Sequence, residues 1–541
     1  MSCLVFSIGP SDGCVVTTLY ARFTQEYIDY LKGIGTYIGL PLAFLNVDIW
    51  HYFLLCLPVC CFQYTETYRG RSYFGSPDFQ CDHCHALFWY IESVRGSSTA
   101  RGRGPVYNLC CKGGKVQIPP FRERPPFLRD LLKYDDEPRC KKFLKQIRQY
   151  NCLFAFSSMG ARIDNAINRG RGPYVFRING QIHHRIGSLL PTDGEAPRFV
   201  ELYIYDTENE MTNRIHALDP AETLDGELDK EIIKGLLQML DQYNPLVKKF
   251  RMARDRLKEY PDENLAIRII GARDGDPVQY NLPTCDELAL LVVADFSLDT
   301  FKRDIIVDCL DGGLRQISIL HPALMALQYP LLFPYGERGF QVGVPYVGAD
   351  LTRSNARNKM TMQDYYRYCF HYRRNQPNPY LCCGRLSSQA KVDARACIDE
   401  NRLQWIIDNQ DKLRVEQFQG IVDAVTNGSI DGNAVGKRMY LPASHTGGRR
   451  YMIQNFHDAI AITRVYGVTD IFLTFTCNPK WPEIAEALRF ERGQKHTDRA
   501  DIVVRVYHMK LQEMLGDIKS DMPFGPINAG VLPVHLLHFC L

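Results

Sequence analysis

The 541-residue sequence contains no G-x-x-x-x-G-K-[ST] loop. Its nearest approach, "GNAVGKR" from Gly432 to Arg438, is one residue short and puts Arg438 where a hydroxyl must hold magnesium. An ATP site is therefore excluded from these residues. There is no internal repeat and no long low-complexity tract. The net charge of +3 is too small to imply a nucleic-acid partner by itself, so only local basic patches could do so.

No basic n-region with a small-residue cleavage site precedes the first apolar segment, which leaves a secretory signal without support. Charge is nearly absent between Lys32 and Glu66, where Asp48 stands alone and "IWHYFLLCLPVCCF" follows it. Placing Asp48 inside a bilayer would cost about 2.5–3.5 kcal/mol. The 17 residues from Asp48 to Glu66 are at the lower limit for a span. Residues 1–66 therefore read as a poorly ordered apolar extension rather than a membrane anchor.

What is present is ordinary for a folded chain: 45% hydrophobic and 23% charged residues, over a length that suits several domains. Nineteen cysteines is an odd number for a secreted disulfide framework. A reducing compartment with some cysteines on metal fits better. Residues 67–130 are rich in Cys, Gly and aromatics with little periodicity, which suggests a small metal-stapled module. Helical spacing is expected over 126–150, over a long stretch from about Leu224 to Lys258, in "CDELALLVV", and over 320–332, 361–374, 386–427 and 449–466. The segments "YVFRI", "VELYIYD", "LAIRIIG", "DIIVDC" and "TDIFLTFTC" read as strands, and "PEIAEALRF" and "ADIVVRVYHMKLQEMLGDI" as helices. The fold class is mixed α/β in the α+β sense. Its parts are a cysteine-rich module, a mixed region over 131–350, and a last domain over 351–541.

The metal candidate is "CDHC", Cys81 to Cys84, followed 26 positions on by Cys110 and then Cys111. Tetrahedral zinc takes four thiolate or imidazole ligands, and a C-x-x-C knuckle supplies two of them. An adjacent pair is a strained bite, so one of Cys110 and Cys111 is open to being a spectator, with His83 or His85 as substitute. In "QDYYRYCFHYRR", Tyr365 and Tyr366 stand beside basic residues. A tyrosine can attack a DNA phosphate. The plainer expectation is a helix with its aromatic face in the core and Arg373 and Arg374 in solvent. Basic and aromatic residues also interleave in "RSYFG", "RGRGPVY" (Arg101, Arg103), "RGRGPYVFR" (Arg169, Arg171) and "GGRRYMIQNFH" (Arg449, Arg450). Such mixtures suit single-stranded DNA, whose bases stack on rings while its phosphates meet Arg or Lys.

Longer motifs follow one another in a familiar order. They are "CDHCHALFWY…VYNLCCKGGKVQIPP", "YNCLFAFSSMGARID", "GPYVFRINGQIHHRIGSLLP", "ELYIYDTENEMTNR", "YNLPTCDELALLV", "HPALMALQYPLLFPYGERGF", "VGKRMYLPASHTGGRRYMIQNFHDAIAI" and "DIFLTFTCNPKWPEI". Over roughly residues 68–529 the chain resembles the Helitron helicase-like region on the N-terminal side of Helitron transposon proteins; residues 1–66 match nothing in it. The resemblance implies a rolling-circle initiator that joins a His-hydrophobic-His nuclease to an ATP-dependent helicase. It implies DNA as partner, a full-length Helitron protein acting in trans as another, and the nucleus as location. "TFTCNPKW" is similar to the strand that opens the nuclease fold, which adds Lys480 and Trp481 to the DNA-contacting candidates.

The chain departs from the family pattern where the chemistry should begin. After "FGPINAG" the metal-binding strand is replaced by "VLPVHLLHFCL", and the later tyrosines and helicase do not follow. His535 and His538 are offset by three, whereas two histidines on one face of a strand need an offset of two. A second departure is "GRLSSQAKVDARACIDENRL". The expectation is a truncated DNA-binding remnant with no catalytic residue. The alternatives are a single-strand endonuclease with an atypical site, or a product without function.

Overall fold

In a computed structural model the described residues are 2–8, 72–94, 105–134, 137–163, 178–192, 194–218, 228–261, 263, 265–271, 289–293, 304–309, 314–349, 358–410, 441–467, 471–520 and 526–531. The described chain is mixed α+β, with eleven strands in small antiparallel sheets and eleven α-helices. It divides into two units. The larger comprises Gly75–Leu441 and Lys480–Val504, and the smaller Met1–Phe74, Pro442–Pro479 and Arg505–Leu541.

In the smaller unit, β1 (Ser2–Ile8) lies between β10 (Ile471–Phe475) and β11 (Ile527–Val531), antiparallel to both, with Leu4 opposite Leu473 and Phe6 opposite Gly530. The strand expected in "TDIFLTFTC" is thus present, and its central partner comes from the first residues of the chain. The apolar stretch from Lys32 to Glu66 lies outside the described residues. Among those described, no helix is long and apolar enough to cross a membrane.

In the larger unit the core is built around α2 (Pro138–Phe154), α4 (Lys230–Tyr243), α5 (Pro245–Glu259) and α8 (Gly384–Asp408). On α4, Ile232, Ile233, Leu236, Met239 and Leu240 are buried, spaced to form one stripe. The helix expected from Leu224 to Lys258 is two helices. Asn244 ends α4, and its side chain accepts from the Leu246 and Val247 N–H groups (2.9 and 3.3 Å) to start α5, with Pro245 in the first turn. Likewise the segment 126–150 is split between α1 (Pro126–Leu131) and α2. Gly235 faces the Phe127 ring closely enough that any Cβ there would collide with it, so α1 seats its ring on α4.

Two expectations fail here, each to tertiary packing. "VELYIYD" is a 3-10 turn over Phe199–Tyr203, not a strand. Glu201 accepts the Arg198 N–H (2.8 Å), and Tyr203 donates to the Phe154 carbonyl (2.7 Å) beneath the Arg214 guanidinium, 4.1 Å from the ring. These contacts outweigh the β-like composition. "ALLVV" in "CDELALLVV" is strand β7 (Ala289–Val293) rather than helix; it pairs with β6 (Leu265–Ile269), Leu291 opposite Ile267, and β8 (Ile305–Asp308) flanks β6 on its other edge. A five-residue apolar run carries no periodicity that separates the two states. The second half of "386–427" and the loop "GNAVGKR" lie outside the described residues.

A buried polar cluster ties β5 (Ile178–Ile186) to α8. His184 Nε2 is 2.9 Å from Asp393 Oδ2, which also accepts from the Tyr329 hydroxyl (2.8 Å), with all three residues at most 2% exposed.

Candidate metal centre

The site begins with a short hairpin. Strands β2 (Phe79–Gln80) and β3 (Leu87–Phe88) are antiparallel, with Phe79 opposite Phe88, and the C-x-x-C knuckle is the turn between them. His85 N–H donates to the Cys81 carbonyl (2.9 Å) and Cys81 N–H to the Ala86 carbonyl (3.0 Å), which curls both thiols to one side. His85 adopts φ +57°, as a tight knuckle requires. The second pair enters on the turn after Tyr107, which stacks on Phe88 with centroids 4.4 Å apart. Lys112, Gly113 and Gly114 follow in succession with positive φ (+52°, +65° and +86°), and the Gly114 N–H donates to Cys111 Sγ (3.2 Å).

Cys81, Cys84, Cys110 and Cys111 are all buried, and their sulfurs lie within 4.8 Å of one another. Cys81 and Cys111 sulfurs are 3.7 Å apart and those of Cys110 and Cys111 3.8 Å. A tetrahedron of thiolates with metal–sulfur bonds of about 2.3 Å has edges of about 3.8 Å, so these four sulfurs could hold one metal ion. The sulfurs of both adjacent cysteines lie within the set, and His83 and His85 are both exposed. His83 does have a structural role: it packs against Gly114, where a Cβ would come within 2.9 Å of the imidazole Nδ1.

The sulfurs share protons unequally. Cys84 is pulled down to about 6 by hydrogen bonding from Cys110 and then Cys111, and Cys81 is pulled down by the same pair. Cys110 is pushed up, first by Cys111 and then by Cys81 and Cys84. Cys110 draws Cys111 down, but Cys81 and Cys84 outweigh it and leave Cys111 raised. A cation among the four sulfurs would take the place of the protons they share.

One expectation is overturned beside the site. Arg373 is not in solvent: it is 5% exposed, donates through Nε to the Cys84 carbonyl (2.8 Å) and through Nη1 to the carbonyls of Tyr368 and His371 (3.0 and 3.1 Å), and stands 3.8 Å over the Tyr368 ring. Arg374 is the one that reaches outward, 43% exposed and paired with Asp78 at 2.8 Å. Both follow α7 (Met362–Phe370), whose Tyr365 and Tyr366 are 2% and 3% exposed. A second tie joins the cysteine module to α7: Lys112 Nζ meets Asp364 Oδ2 (2.9 Å) and the Tyr346 hydroxyl (3.0 Å). Burial raises the Asp364 carboxyl, but hydrogen bonds from Thr361, Tyr346 and Lys112 outweigh it and hold it below its usual value. Spacing rules could not find Arg373, because its partners are backbone carbonyls, one of them 289 positions away.

Of the remaining candidates, four lie among the described residues. Arg449 and Arg450 are exposed in the first turn of α9 (Arg449–Tyr466), a helix without a buried residue. Lys480 is exposed and Trp481 is the half-buried N-cap of α10 (Pro482–Leu488). Arg101, Arg103, Arg169, Arg171, His535 and His538 lie outside the described residues.

Fold and site together define a mixed α+β protein with a four-cysteine centre built into its larger unit. Residues 365–535 match the family described as the Helitron helicase-like domain at N-terminus. A search of curated proteins finds no match.

Proposed function

We propose that this chain is part of a Helitron-derived transposon protein that binds single-stranded DNA and carries a structural zinc ion on Cys81, Cys84, Cys110 and Cys111. The observation that supports it most is the Helitron helicase-like domain at 365–535, which ties the chain to a rolling-circle element. Four thiolates in a closed, buried set suit a structural ion rather than a catalytic one, which would keep an open position. The nucleus as location and a full-length Helitron protein as partner in trans follow from the same reading. So does the division into a cysteine module (67–130), a mixed region (131–350) and the Helitron-like end (351–541). We assign no catalytic residue.

The second reading, a nicking enzyme that attacks through Tyr365 or Tyr366, is opposed by their burial. Their rings are 5.2 Å apart and packed among Phe340, Phe370 and Tyr380. A gel shift with a single-stranded oligonucleotide, run beside a nicking assay with manganese, separates the readings. Binding without cleavage is the expected result. Cleavage that disappears in His535→Ala would establish the enzyme, and absence of both activities would refute the proposal.

A further inference from the structure

The solvent side of α2 carries charge of one sign only. Its 17 residues, "PRCKKFLKQIRQYNCLF", hold Arg139, Lys141, Lys142, Lys145 and Arg148 and no acid. Phe143, Ile147, Tyr150 and Phe154 turn one face into the core, which leaves the cations on the other. Lys141, Lys142 and Lys145 are exposed, and Lys142 and Lys145 form no ion pair among the described residues. Solvated helix faces ordinarily mix signs, because opposite charges three or four positions apart attract. Here Arg139 and Lys142, Lys141 and Lys145, Lys142 and Lys145, and Lys145 and Arg148 are like-charged at that spacing, and each pair repels.

The elements packed against α2 leave that charge standing, because their acids are engaged elsewhere. On α1, Asp130 is paired with Lys133 at 2.9 Å. On α3 (Glu210–Leu218), Glu210 is buried between Arg214 and Arg251 (2.6 and 2.8 Å). On α8 the first acid is Asp393, buried and held by His184 and Tyr329, while the Gln389 side chain accepts from Arg148 Nε (2.6 Å). The acids of the adjoining sequence, Asp135, Asp136 and Glu137, precede the helix and suit the positive end of its dipole. Lys145 and Arg148 stand about 12 and 16 Å along the axis from Glu137, beyond a screening length of about 8 Å in physiological salt. No large apolar side chain of α2 is exposed. The face therefore lacks the anchor that a protein interface is built on and the apolar side that a membrane-surface helix inserts. A nucleic-acid backbone needs neither, since Lys and Arg meet its phosphates without reading its sequence.

We propose that the solvent face of α2, with Lys142 and Lys145 at its centre, is a contact surface for the phosphate backbone of single-stranded DNA. This rests on the single-strand binding proposed above and assigns it a place. The test measures binding of the full chain to a short single-stranded oligonucleotide between about 50 and 200 mM salt, where each phosphate contact steepens the fall of log K with log salt by about 0.7. Lys142→Gln/Lys145→Gln should flatten that slope by about 1.4 and weaken binding roughly tenfold at the low-salt end, alike on oligonucleotides of different sequence. Arg139, 5.9 Å over the Phe127 ring, and Arg148 also hold the fold and are left in place. Lys142→Arg/Lys145→Arg should keep both the slope and the affinity. So should Lys248→Gln/Lys258→Gln on α5, which removes the same charge from other exposed positions. In wild type, bound oligonucleotide should protect Lys142 and Lys145 from acylation, a readout that needs no variant. A wild type that binds but leaves both lysines unprotected overturns the surface and leaves single-strand binding standing. A glutamine pair with the wild-type slope does the same, and so does an equal flattening in the α5 pair, which would assign the effect to net charge. Tighter binding of polyglutamate than of an oligonucleotide of equal charge, lost in the Lys142/Lys145 variant, would replace DNA by an acidic protein as the occupant. A wild type that binds no single strand refutes the underlying reading itself.

Discussion

Replacing Arg373 by Met keeps much of the side-chain volume and removes the charge. Three carbonyls, those of Cys84, Tyr368 and His371, lose their donor, and the Tyr368 ring loses the cation above it. Hydrogen bonds from a charged group contribute roughly 1.5–3 kcal/mol each, and a desolvated cation–π contact about 2 kcal/mol. These terms share one side chain and do not add, so the expected loss is about 3–5 kcal/mol. It should be read from denaturant midpoints of the metal-loaded protein at constant m. The Cys84 carbonyl belongs to the knuckle, so metal affinity by chelator competition should fall about 10–100-fold, as for other outer-shell partners. Arg373→Lys should recover only part of either quantity, because one ammonium cannot reach three carbonyls in the guanidinium's fork geometry. An Arg373→Met protein with wild-type midpoint and wild-type metal affinity would refute the linkage drawn between α7 and the cysteine centre.

Cys110→Ser and Cys111→Ser, made separately, should each weaken metal binding as much as Cys84→Ser, measured by cobalt(II) substitution and its thiolate charge-transfer absorption; an indifferent Cys110 or Cys111 would restore the spectator reading. Asp393→Asn leaves His184 and the Tyr329 hydroxyl facing an amide inside the core and should cost about 3 kcal/mol in chemical denaturation. A change under about 0.5 kcal/mol would show that this cluster is not a structural tie. His321 is pressed down to about 4 by burial, so it stays neutral in the folded chain while the unfolded chain takes up a proton below pH 6.5. Stability should therefore be complete above pH 6.5 and decline as pH falls towards 4, by about 3 kcal/mol. In His321→Asn that part of the acid-side slope should vanish, and an unchanged slope would assign it to other groups.

The features legible in sequence were those carried by local chemistry. A cysteine three positions after another makes a knuckle wherever it is placed, so Cys81 and Cys84 stood out. The apolar spacing of α9 (Arg449–Tyr466) and the β-branched runs of β6 and β8 likewise set their own conformation. Tyr365 and Tyr366 were read correctly as core residues because they lie on the apolar face of a short amphipathic helix.

Other features depend on partners distant in the chain, and no local signal encodes them. That the sulfurs of both Cys110 and Cys111 reach the knuckle was decided by a turn of three positive-φ residues and the stack of Tyr107 on Phe88. "VELYIYD" and "ALLVV" exchanged their expected states because Phe154 and β6 supplied better hydrogen-bond partners than the local alternatives. Arg373 was expected in water on the strength of its charge. Buried carbonyls from two separate segments make its burial favourable, since a guanidinium can leave solvent only where its donors are met. Sequence alone therefore determined which residues could hold a metal. Tertiary structure decided that all four sulfurs converge, and that Arg373 is the arginine bonded to the Cys84 carbonyl of the knuckle.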